Sequence, residues 1–468
     1  MSKSSRDLTV GSLWTAITVL TLPMIVGIMA TMSVSIVDTY FVGKLGTNEL
    51  AALSFTFPIT ITIGSLAIGL GAGAAAVVSQ AIGAKNEKEA KRLSTDSLLV
   101  ATLIVVVISI IGLLTIEPLF MLLGAQGEVL LMIERYMWIW YVSMPFLVIP
   151  MVANAIIRAV GDAVWPSIIM IGAAVINIIA TPILVFGWGP IPAFNIEGAA
   201  YGTLIARVFS LLLALYVAYY REKIIILLVP GISEIIQSCK KVLNVGIPAG
   251  VGSAVNPFGV TIVTSVIATF GAEAVAAFGV ASRIESFACI PMFALSASIA
   301  PIVGQNWGAN KKNRVLQAVK SCYLMCCIWS AFILVLLHFL AEPISQVLAS
   351  DVAVAKESAS YLGVATVGFW GYGIVIVSAA AFNALGRPIS SLAYYLFRTA
   401  LLYVPLSVIA GAYFDIKGVY YGIAIANVIS GLIIGWYTLW WLKKQTLTTA
   451  NQADYTPQSV SKISLKGT

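Results

Sequence analysis

Long apolar runs alternate with short stretches of charged residues, glycine and proline along almost the whole chain. Each run lasts about twenty residues or more, which is long enough to cross a bilayer as a helix. None shows the alternation of apolar and polar positions that a membrane-spanning strand requires. The pattern therefore predicts an all-α integral membrane protein with twelve transmembrane helices, at approximately 14–42, 49–82, 96–117, 128–158, 163–187, 196–221, 235–269, 273–308, 315–341, 353–385, 389–413 and 416–442.

The second half of the chain repeats the first. At an offset of 225 residues Pro23 matches Pro248 and the segment VSQAIGAK matches VGQNWGAN, and near the end of each half an offset of 220 pairs Gly202 with Gly422. Each repeat holds six predicted helices, so both enter the membrane in the same orientation. We expect two six-helix bundles related by a pseudo-twofold axis along the membrane normal, with a cleft that suits alternating access.

The repeat also predicts the domain organisation. Basic residues lie between the sixth and seventh helices, and the residues after the twelfth helix are rich in serine, threonine and glutamine without an apolar run. Such a polar segment cannot bury enough surface to fold alone. We predict lobes at 1–220 and 244–443, a cytoplasmic inter-lobe loop at 221–243, and a disordered cytoplasmic tail at 444–468.

Composition supports a membrane location. The 468-residue chain is 60% hydrophobic and 10% charged, with a mean hydropathy of +0.97, which a soluble domain of this size would not tolerate. Its net charge of +7 comes mostly from basic residues outside the apolar runs, on the side of the N-terminus. The positive-inside rule then predicts that both termini are cytoplasmic. Because topology explains the charge, we expect no nucleic acid partner.

The sequence lacks the common motifs of catalysis and nucleotide hydrolysis. It contains no GxxxxGKS/T, HExxH or GxSxG motif, and the single histidine, His338, has no cysteine at metal-ligand spacing. Gly69 and Gly73 have the small-xxx-small spacing of close helix packing. We therefore predict neither an enzyme nor an ATP-driven pump, and no cofactor beyond a coupling ion.

The first helix carries a single acidic residue, Asp38. A carboxylate in hydrocarbon costs roughly 2.5 to 3.5 kcal/mol, so such residues usually face a bundle interior and mark an ion path or proton relay. The repeat places Val263 at the equivalent position, so the acid is not scaffold. Pro23 lies fifteen residues earlier and cannot bond to the Val19 carbonyl, which makes it a candidate hinge.

Polar residues of the fifth and sixth helices reach a depth similar to that of Asp38. At about 1.5 Å per residue from the predicted outer ends, Asp38 lies about 6 Å deep, Thr181 about 9 Å, Thr203 about 10 Å and Asn177 about 15 Å. Asn177 and Thr181 are four residues apart and share a helix face. We expect these residues to form a small polar chamber. The alternative is that these side chains only hydrogen-bond neighbouring helices.

The second half carries its own intramembrane charges. Arg283 and Glu285 lie near the middle of the eighth helix, and Arg398 near the middle of the eleventh. Residues two apart on a helix do not face each other, so we expect Glu285 to pair with Arg398 rather than with Arg283. A structural ion pair is favoured, with a role in substrate binding as the alternative.

Several segments are distinctive when taken together: TLPMI at Thr21, VDTYFVGKLG, the paired VSQAIGA and VGQNWGAN segments, ASRIESFA at Ala281 and FNALGRP at Phe382. Over nearly its whole length the chain resembles the multidrug and toxic compound extrusion (MATE) transporters, and within them the DinF-like branch. The resemblance implies two six-helix lobes that export amphipathic, often cationic compounds, driven by inward flow of protons or sodium.

The resemblance also implies roles for individual residues. The DinF-like branch carries an essential acid on its first helix, which matches Asp38, and a proline matching Pro23 where that helix bends. Its N-lobe pocket uses asparagines and a threonine, which match Asn154, Asn177 and Thr203.

The chain departs from this pattern at two positions. Many relatives have a second aspartate four residues after the fifth-helix asparagine, but here that position is Thr181, and Asn256 lies near where another branch has a glutamate. A hard cation needs several charged or carbonyl oxygens, so the loss of a carboxylate weakens a sodium site. Protons are therefore favoured over sodium as the coupling ion.

These observations and the resemblance predict a monomeric multidrug/proton antiporter of a bacterial or archaeal cytoplasmic (inner) membrane. Protonation of Asp38 is expected to rearrange its contacts with Asn177 and Thr203, let the first helix bend near Pro23 and expel the cargo. One alternative is a flippase for lipid-linked sugars of the same fold, which would need a basic cavity. The other is a passive channel. The N-terminal lobe has few residues for a basic cavity, namely Arg135, Arg158 and Arg207.

Overall fold

The computed structural model describes residues 7–226, 231–349 and 351–454, and regular structure in these ranges is helical apart from one isolated bridge. The first half contains α1 (Leu13–Gly43), α2 (Thr47–Gly83), α3 (Glu87–Leu114), α4 (Ile116–Leu122), α5 (Gly127–Ala159), α6 (Val164–Phe186) and α7 (Asn195–Tyr216). A π-helical turn, Val217–Arg221, continues α7.

The second half contains α8 (Ile232–Ala268), α9 (Ala272–Ala288), α10 (Ile290–Gly308), α11 (Lys312–Leu348), α12 (Val352–Ala365), α13 (Phe369–Ala384), α14 (Pro388–Leu396) and α15 (Val404–Asp454). A 3-10 turn, Thr366–Gly368, joins α12 to α13, and a π-helical segment, Phe397–Tyr403, joins α14 to α15.

These helices form twelve membrane spans. Among the described residues, ten stretches are long and apolar enough to cross a membrane, and α9 with α10 forms an eleventh span that is bent by 42°. α15 adds the twelfth, because the backbone of Phe414 and Asp415 is not helical. Gly422 packs against the Leu406 carbonyl, although a straight helix would separate them by about 24 Å. The chain therefore reverses within α15, and the predicted twelve-helix fold is confirmed.

Two predicted domain boundaries need correction. α8 begins at Ile232, so the second half of the predicted loop at 221–243 is helical, while residues 227–230 lie outside the described residues. α15 continues to Asp454, so residues 444–454 of the predicted disordered tail are helical. No glycine or proline interrupts the chain between Gly435 and Pro457, which explains the longer helix. The remainder of the predicted tail, 455–468, lies outside the described residues.

Reciprocal contacts show the predicted twofold relationship. Gln80 Nε2 donates to the Ala384 carbonyl at 2.6 Å, and its repeat equivalent Gln305 donates from Nε2 to the Ala159 carbonyl at 2.8 Å. Ala159 and Ala384 are also equivalent in the repeat, so the two bonds correspond to each other. In the same way, Gly83 contacts the Gln305 backbone and its equivalent Gly308 contacts the Gln80 backbone. The two lobes are therefore related by a pseudo-twofold axis.

The lobes meet at one end of the molecule, which we call the closed end. There α2 crosses α8, with Gly69 and Gly73 against Gly246 and neighbouring backbone, which confirms the close packing predicted from their spacing. Contact between α2 and α8 continues to Ser65, whose carbonyl accepts from Ser253 Oγ at 3.3 Å. Five residues further along α8, Phe258 is exposed. We take the cleft between the lobes to open beyond this point, away from the closed end.

Candidate functional site

The N-terminal lobe contains a cavity of about 500 Å³, which we call the N-lobe cavity. Its walls come from α1, α2, α5, α6 and α7, and much of its lining is apolar or aromatic. Polar and charged side chains from several of these helices also reach it, among them Asp38, Asn154, Arg158, Asn177, Thr203 and Arg207. Its size and mixed lining are those of a site for a small organic molecule.

The structure brings Asp38 together with the predicted residues of α6 and α7. Thr181 is fully buried behind the cavity wall and donates from Oγ1 to Asp38 Oδ1 at 3.1 Å. Asn177 Nδ2 donates to Thr203 Oγ1 at 3.2 Å, and the Thr203 hydroxyl is also close enough to interact with the Asp38 carboxyl. A continuous polar cluster thus joins three helices, and a change of charge at Asp38 acts on all of them.

Small residues bring these helices together. Gly198 and Gly202 on α7 pack directly against the α6 backbone at Leu184 and Thr181, where an added Cβ would lie 2.4 Å from the Leu184 carbonyl oxygen. Gly27 on α1 packs in the same way against Ser167 of α6. Because glycine lets helix backbones approach closely, α1 and α7 both rest on α6 and hold their polar residues against it.

The acid has no counterpart in the C-terminal lobe. Asp38 corresponds to Val263 at the offset of 225, and Thr203 corresponds to Ile423 at the offset of 220. Val263 and Ile423 are almost completely buried. Gly202 packs against Thr181 and its equivalent Gly422 packs against Leu406 and Ser407, so a hydroxyl near this position is shared by both lobes, whereas the carboxyl belongs to one lobe alone.

Asn154 lies in the same cavity but apart from this cluster. Its side chain is 8% exposed, and Oδ1 has no hydrogen-bond partner within the described chain. Oδ1 of Asn177 is also buried and unpaired among the described residues. A buried unpaired acceptor is costly unless a ligand or water donates to it. Both amides therefore present free acceptors at the cavity wall.

Two arginines of the N-lobe cavity were not predicted as site residues. Arg158 is the last residue of the predicted fourth helix at 128–158, and in the structure it occupies the last turn of α5 and lines the cavity. Arg207 on α7 donates to Ser143 Oγ, and its guanidinium carbon lies 5.3 Å from the ring centroid of Trp140. Arg207 lies inside an apolar run and Arg158 at the end of one, and a charge inside a predicted span was the signal that could have identified Arg207.

The predicted hinge lies within an unbroken helix. α1 is continuous from Leu13 to Gly43 with Pro23 inside it. Pro23 has no amide hydrogen, so the bond to the Val19 carbonyl is missing even though the helix continues through this position. The bend at Pro23 stays a prediction about a second conformation.

The charges of the C-terminal lobe are arranged differently from the prediction. Glu285 accepts a hydrogen bond from the Tyr361 hydroxyl at 2.7 Å, and no ion pair joins it to Arg398 within 4.0 Å. Arg398 is buried, donating to Asn256 Oδ1 at 2.7 Å and Asn427 Oδ1 at 2.9 Å, while Arg283 is exposed. The predicted ion pair is therefore wrong, because both charges find neutral partners on nearer helices.

Comparison with known proteins agrees with this architecture. The MatE family model matches residues 23–183 and 248–409, one match in each lobe. The chain is similar to a FAD transporter of Shewanella oneidensis, with 37% identity over 414 residues, covering 88% of this chain and 91% of that protein. It is also similar to the multidrug export protein MepA of Staphylococcus aureus, with 23% identity over 88% of this chain and 90% of that protein.

A solved structure shows the same fold. The Vibrio cholerae MATE transporter VcmN in the bent form has a TM-score of 0.86 at 27% identity, covering 93% of this chain and 98% of that chain. The twelve helices, the internal repeat and the two family matches thus point to the same conclusion. The chain belongs to the MatE family, the multidrug and toxic compound extrusion transporters, and is a membrane transporter rather than an enzyme.

Proposed function

We propose that the chain exports organic compounds by proton antiport, with Asp38 as the coupling residue. One observation carries this proposal: a single acid, hydrogen-bonded to Thr181, lies in the wall of a cavity that can hold cargo. The C-terminal lobe has Val263 at the same place. Of these two equivalent positions, only Asp38 can bind and release a proton. Its protonation can therefore follow the pH on whichever side of the membrane the cavity faces.

Protonation changes what Asp38 can do in the polar cluster. The ionised carboxylate only accepts hydrogen bonds, whereas the protonated form also donates one. The Thr181 hydroxyl and the nearby Thr203 hydroxyl must then reorient, which loosens α1 from α6 and α7. α1 forms one wall of the N-lobe cavity, so a bend at Pro23 would narrow the cavity and displace cargo towards the open end.

The arrangement of the lobes supports alternating access. On the predicted orientation, the closed end faces the cytoplasm and the cleft opens outwards, so this conformation is the one that releases cargo. The inward-open conformation requires α2 and α8 to separate at the closed end. Both states use the same cavity, with the lobes rocking around it.

Two classes of cargo are proposed. The resemblance and the multidrug exporters among the relatives favour amphipathic or cationic drugs. A second class is favoured by Arg158 and Arg207, because two guanidinium groups line a cavity with one carboxylate. The Shewanella oneidensis relative is named as a FAD transporter, and a flavin nucleotide combines aromatic rings with phosphate. We therefore propose flavin nucleotides as the second cargo class.

Proton movement in proteoliposomes tests the coupling. Adding ethidium or FAD to vesicles containing the wild-type protein should change the internal pH, with or without sodium, because the coupling ion is the proton. Asp38→Asn should abolish this change. Glu128→Gln is the control, since Glu128 is exposed and lies outside the N-lobe cavity.

Four results would contradict the proposal. Proton movement at the wild-type rate in Asp38→Asn would show that Asp38 is not the coupling residue. An absolute requirement for sodium would show that sodium, and not the proton, is the coupling ion. A flux that ignores the pH gradient and never accumulates cargo would instead indicate a passive channel. Rescue of a cell-wall export defect without drug protection would indicate the lipid-linked sugar flippase.

A further inference from the structure

We infer that the deep end of the N-lobe cavity, at Arg158 and Asn154, is a binding subsite for an anionic group, such as a phosphate, joined to an aromatic ring system. This inference rests on the proposed function, because it concerns the cargo of the same cavity. It adds residues that recognise one part of the cargo and that neither Asp38 nor its partners supply.

Arg158 provides the positive charge of the subsite. It lies in the last turn of α5 beside Ala159, whose carbonyl binds Gln305 of the other lobe at the closed end. Its guanidinium faces the cavity without a hydrogen-bond or ion-pair partner among the described residues. A cation held inside a membrane protein without a counter-ion normally faces water or a ligand. Arg158 therefore offers five unused donors to whatever occupies the deep end.

Asn154 supplies a second, independent observation. It lies one turn before Arg158 on the same face of α5, lines the cavity and is 8% exposed. Its unpaired Oδ1 needs a donor, which Arg158 does not provide. A ligand that carries both an anionic group and an N–H or O–H group satisfies the two side chains together. Nucleotides have this combination, because ribose or ribityl hydroxyls lie beside the phosphate.

The shape of the cavity favours an elongated cargo. Trp140 and Arg158 both line it and are separated by about 27 Å along α5. Arg207 lies over the Trp140 ring at the far end, and Phe146 and Met151 line the wall between. A stacked guanidinium and indole form a good platform for a planar ring. A compact cation could contact Asp38 but would leave the deep end empty.

Binding of matched flavins tests the subsite. Purified protein in lipid nanodiscs would be titrated against FAD, FMN and riboflavin, with flavin fluorescence anisotropy as the measurement. Riboflavin has the same ring system without phosphate. We expect FAD and FMN to bind at least about tenfold more tightly than riboflavin, and Arg158→Gln to remove that preference, which corresponds to about 1.4 kcal/mol. Arg158→Gln should weaken FAD and FMN binding far more than riboflavin binding.

Two further variants keep the test decisive if Arg158→Gln folds poorly. Asn154→Asp places a negative charge at the deep end, so it should weaken FAD binding more than riboflavin binding. Arg135→Gln is the matched control, because the Arg135 side chain is 70% exposed and lies outside the cavity lining. It should bind all three flavins as the wild type does.

The outcomes separate this inference from the proposed function. Equal affinity for FAD and riboflavin, no measurable binding of FAD, or equal weakening of both ligands by Arg158→Gln would overturn the subsite. Arg158→Gln should reduce proton movement driven by FAD more than proton movement driven by ethidium, since ethidium has no anionic group. Phosphate-dependent flavin binding without any proton movement would leave the subsite intact and refute proton antiport.

Discussion

Thr181 Oγ1 lies 3.1 Å from Asp38 Oδ1 and connects α6 to α1 at the wall of the N-lobe cavity. The two residues are 143 positions apart in the chain. Gly202 of α7 packs against Thr181 from behind, so the hydroxyl has little freedom to turn away. Asp38, the proposed coupling residue, is thus tied by this hydrogen bond to α6, against which α7 packs closely.

Removing that bond should slow transport without removing the carboxylate. A hydrogen bond to a charged group contributes about 1.5 to 3 kcal/mol, so Thr181→Val should reduce the rate of drug-driven proton movement by about tenfold or more. Thr181→Ser keeps the hydroxyl and should restore most of the rate. Proteoliposome pH measurements would compare the two, and equal rates for Val and Ser would show that the bond does not contribute.

Pro23→Ala should stiffen α1. The alanine amide can bond to the Val19 carbonyl and complete the helix, which removes the weak point. Cargo binding at neutral pH should be unchanged, while transport falls. Distances between spin labels at the two ends of α1 should shorten at low pH in the wild type and stay constant in Pro23→Ala. An identical shortening in both proteins would mean that α1 does not bend at this position.

Gly69→Ala should prevent the closed end from forming. An added Cβ would lie 2.3 Å from the Gly246 carbonyl oxygen, so α2 and α8 must separate. Spin labels on these helices near the closed end should report longer distances, and transport should be lost. Gly64→Ala is the control on the same helix, because Gly64 has open space around it and alanine favours helix. If Gly64→Ala also separated α2 from α8 at the closed end, the effect of Gly69→Ala would be a general destabilisation.

Ion pairs between α3 and α8 should stabilise the conformation in which the lobes are in contact at the closed end. Glu89 Oε1 lies 3.1 Å from Lys241 Nζ, and Arg92 Nη1 lies 3.2 Å from Glu234 Oε1. Exposed pairs contribute about 0 to 1 kcal/mol each, so Glu89→Lys should shift the spin-label population towards the inward-open state by a few-fold. The double variant Glu89→Lys with Lys241→Glu should reverse the shift. High salt should reduce both effects.

Cargo charge should determine how acidification affects binding. Asp38 is faced by Arg207 and Tyr136 across the cavity, and its protonation removes one negative charge. By charge alone, lower pH should weaken ethidium binding and strengthen FAD binding. In Pro23→Ala, where narrowing of the cavity is blocked, these opposite trends should be visible in binding titrations. The same trend for both ligands would mean that cavity shape, and not charge, controls affinity in that variant.

The sequence by itself determined the membrane class, the twelve helices, the repeat and the isolated acid at Asp38. These features are linear properties of the chain, because hydrophobic length and repeat spacing are measured along it. The spacing of Gly69 and Gly73 also predicted that they support close packing. Pairing across helices was less accessible: Glu285 was matched with Arg398 by depth, yet each bonds a different neighbour.

Only the tertiary structure decided which polar residues meet and which are left without a partner among the described residues. Asn154 and Asn177 both line the cavity, but only Asn177 joins the cluster around Asp38. Arg158, which borders an apolar run in the sequence, faces the cavity because α5 is held against the other lobe at the closed end. Depth along a helix follows from residue number, whereas the direction of a side chain depends on helix rotation and on close approaches such as Gly202 against Thr181.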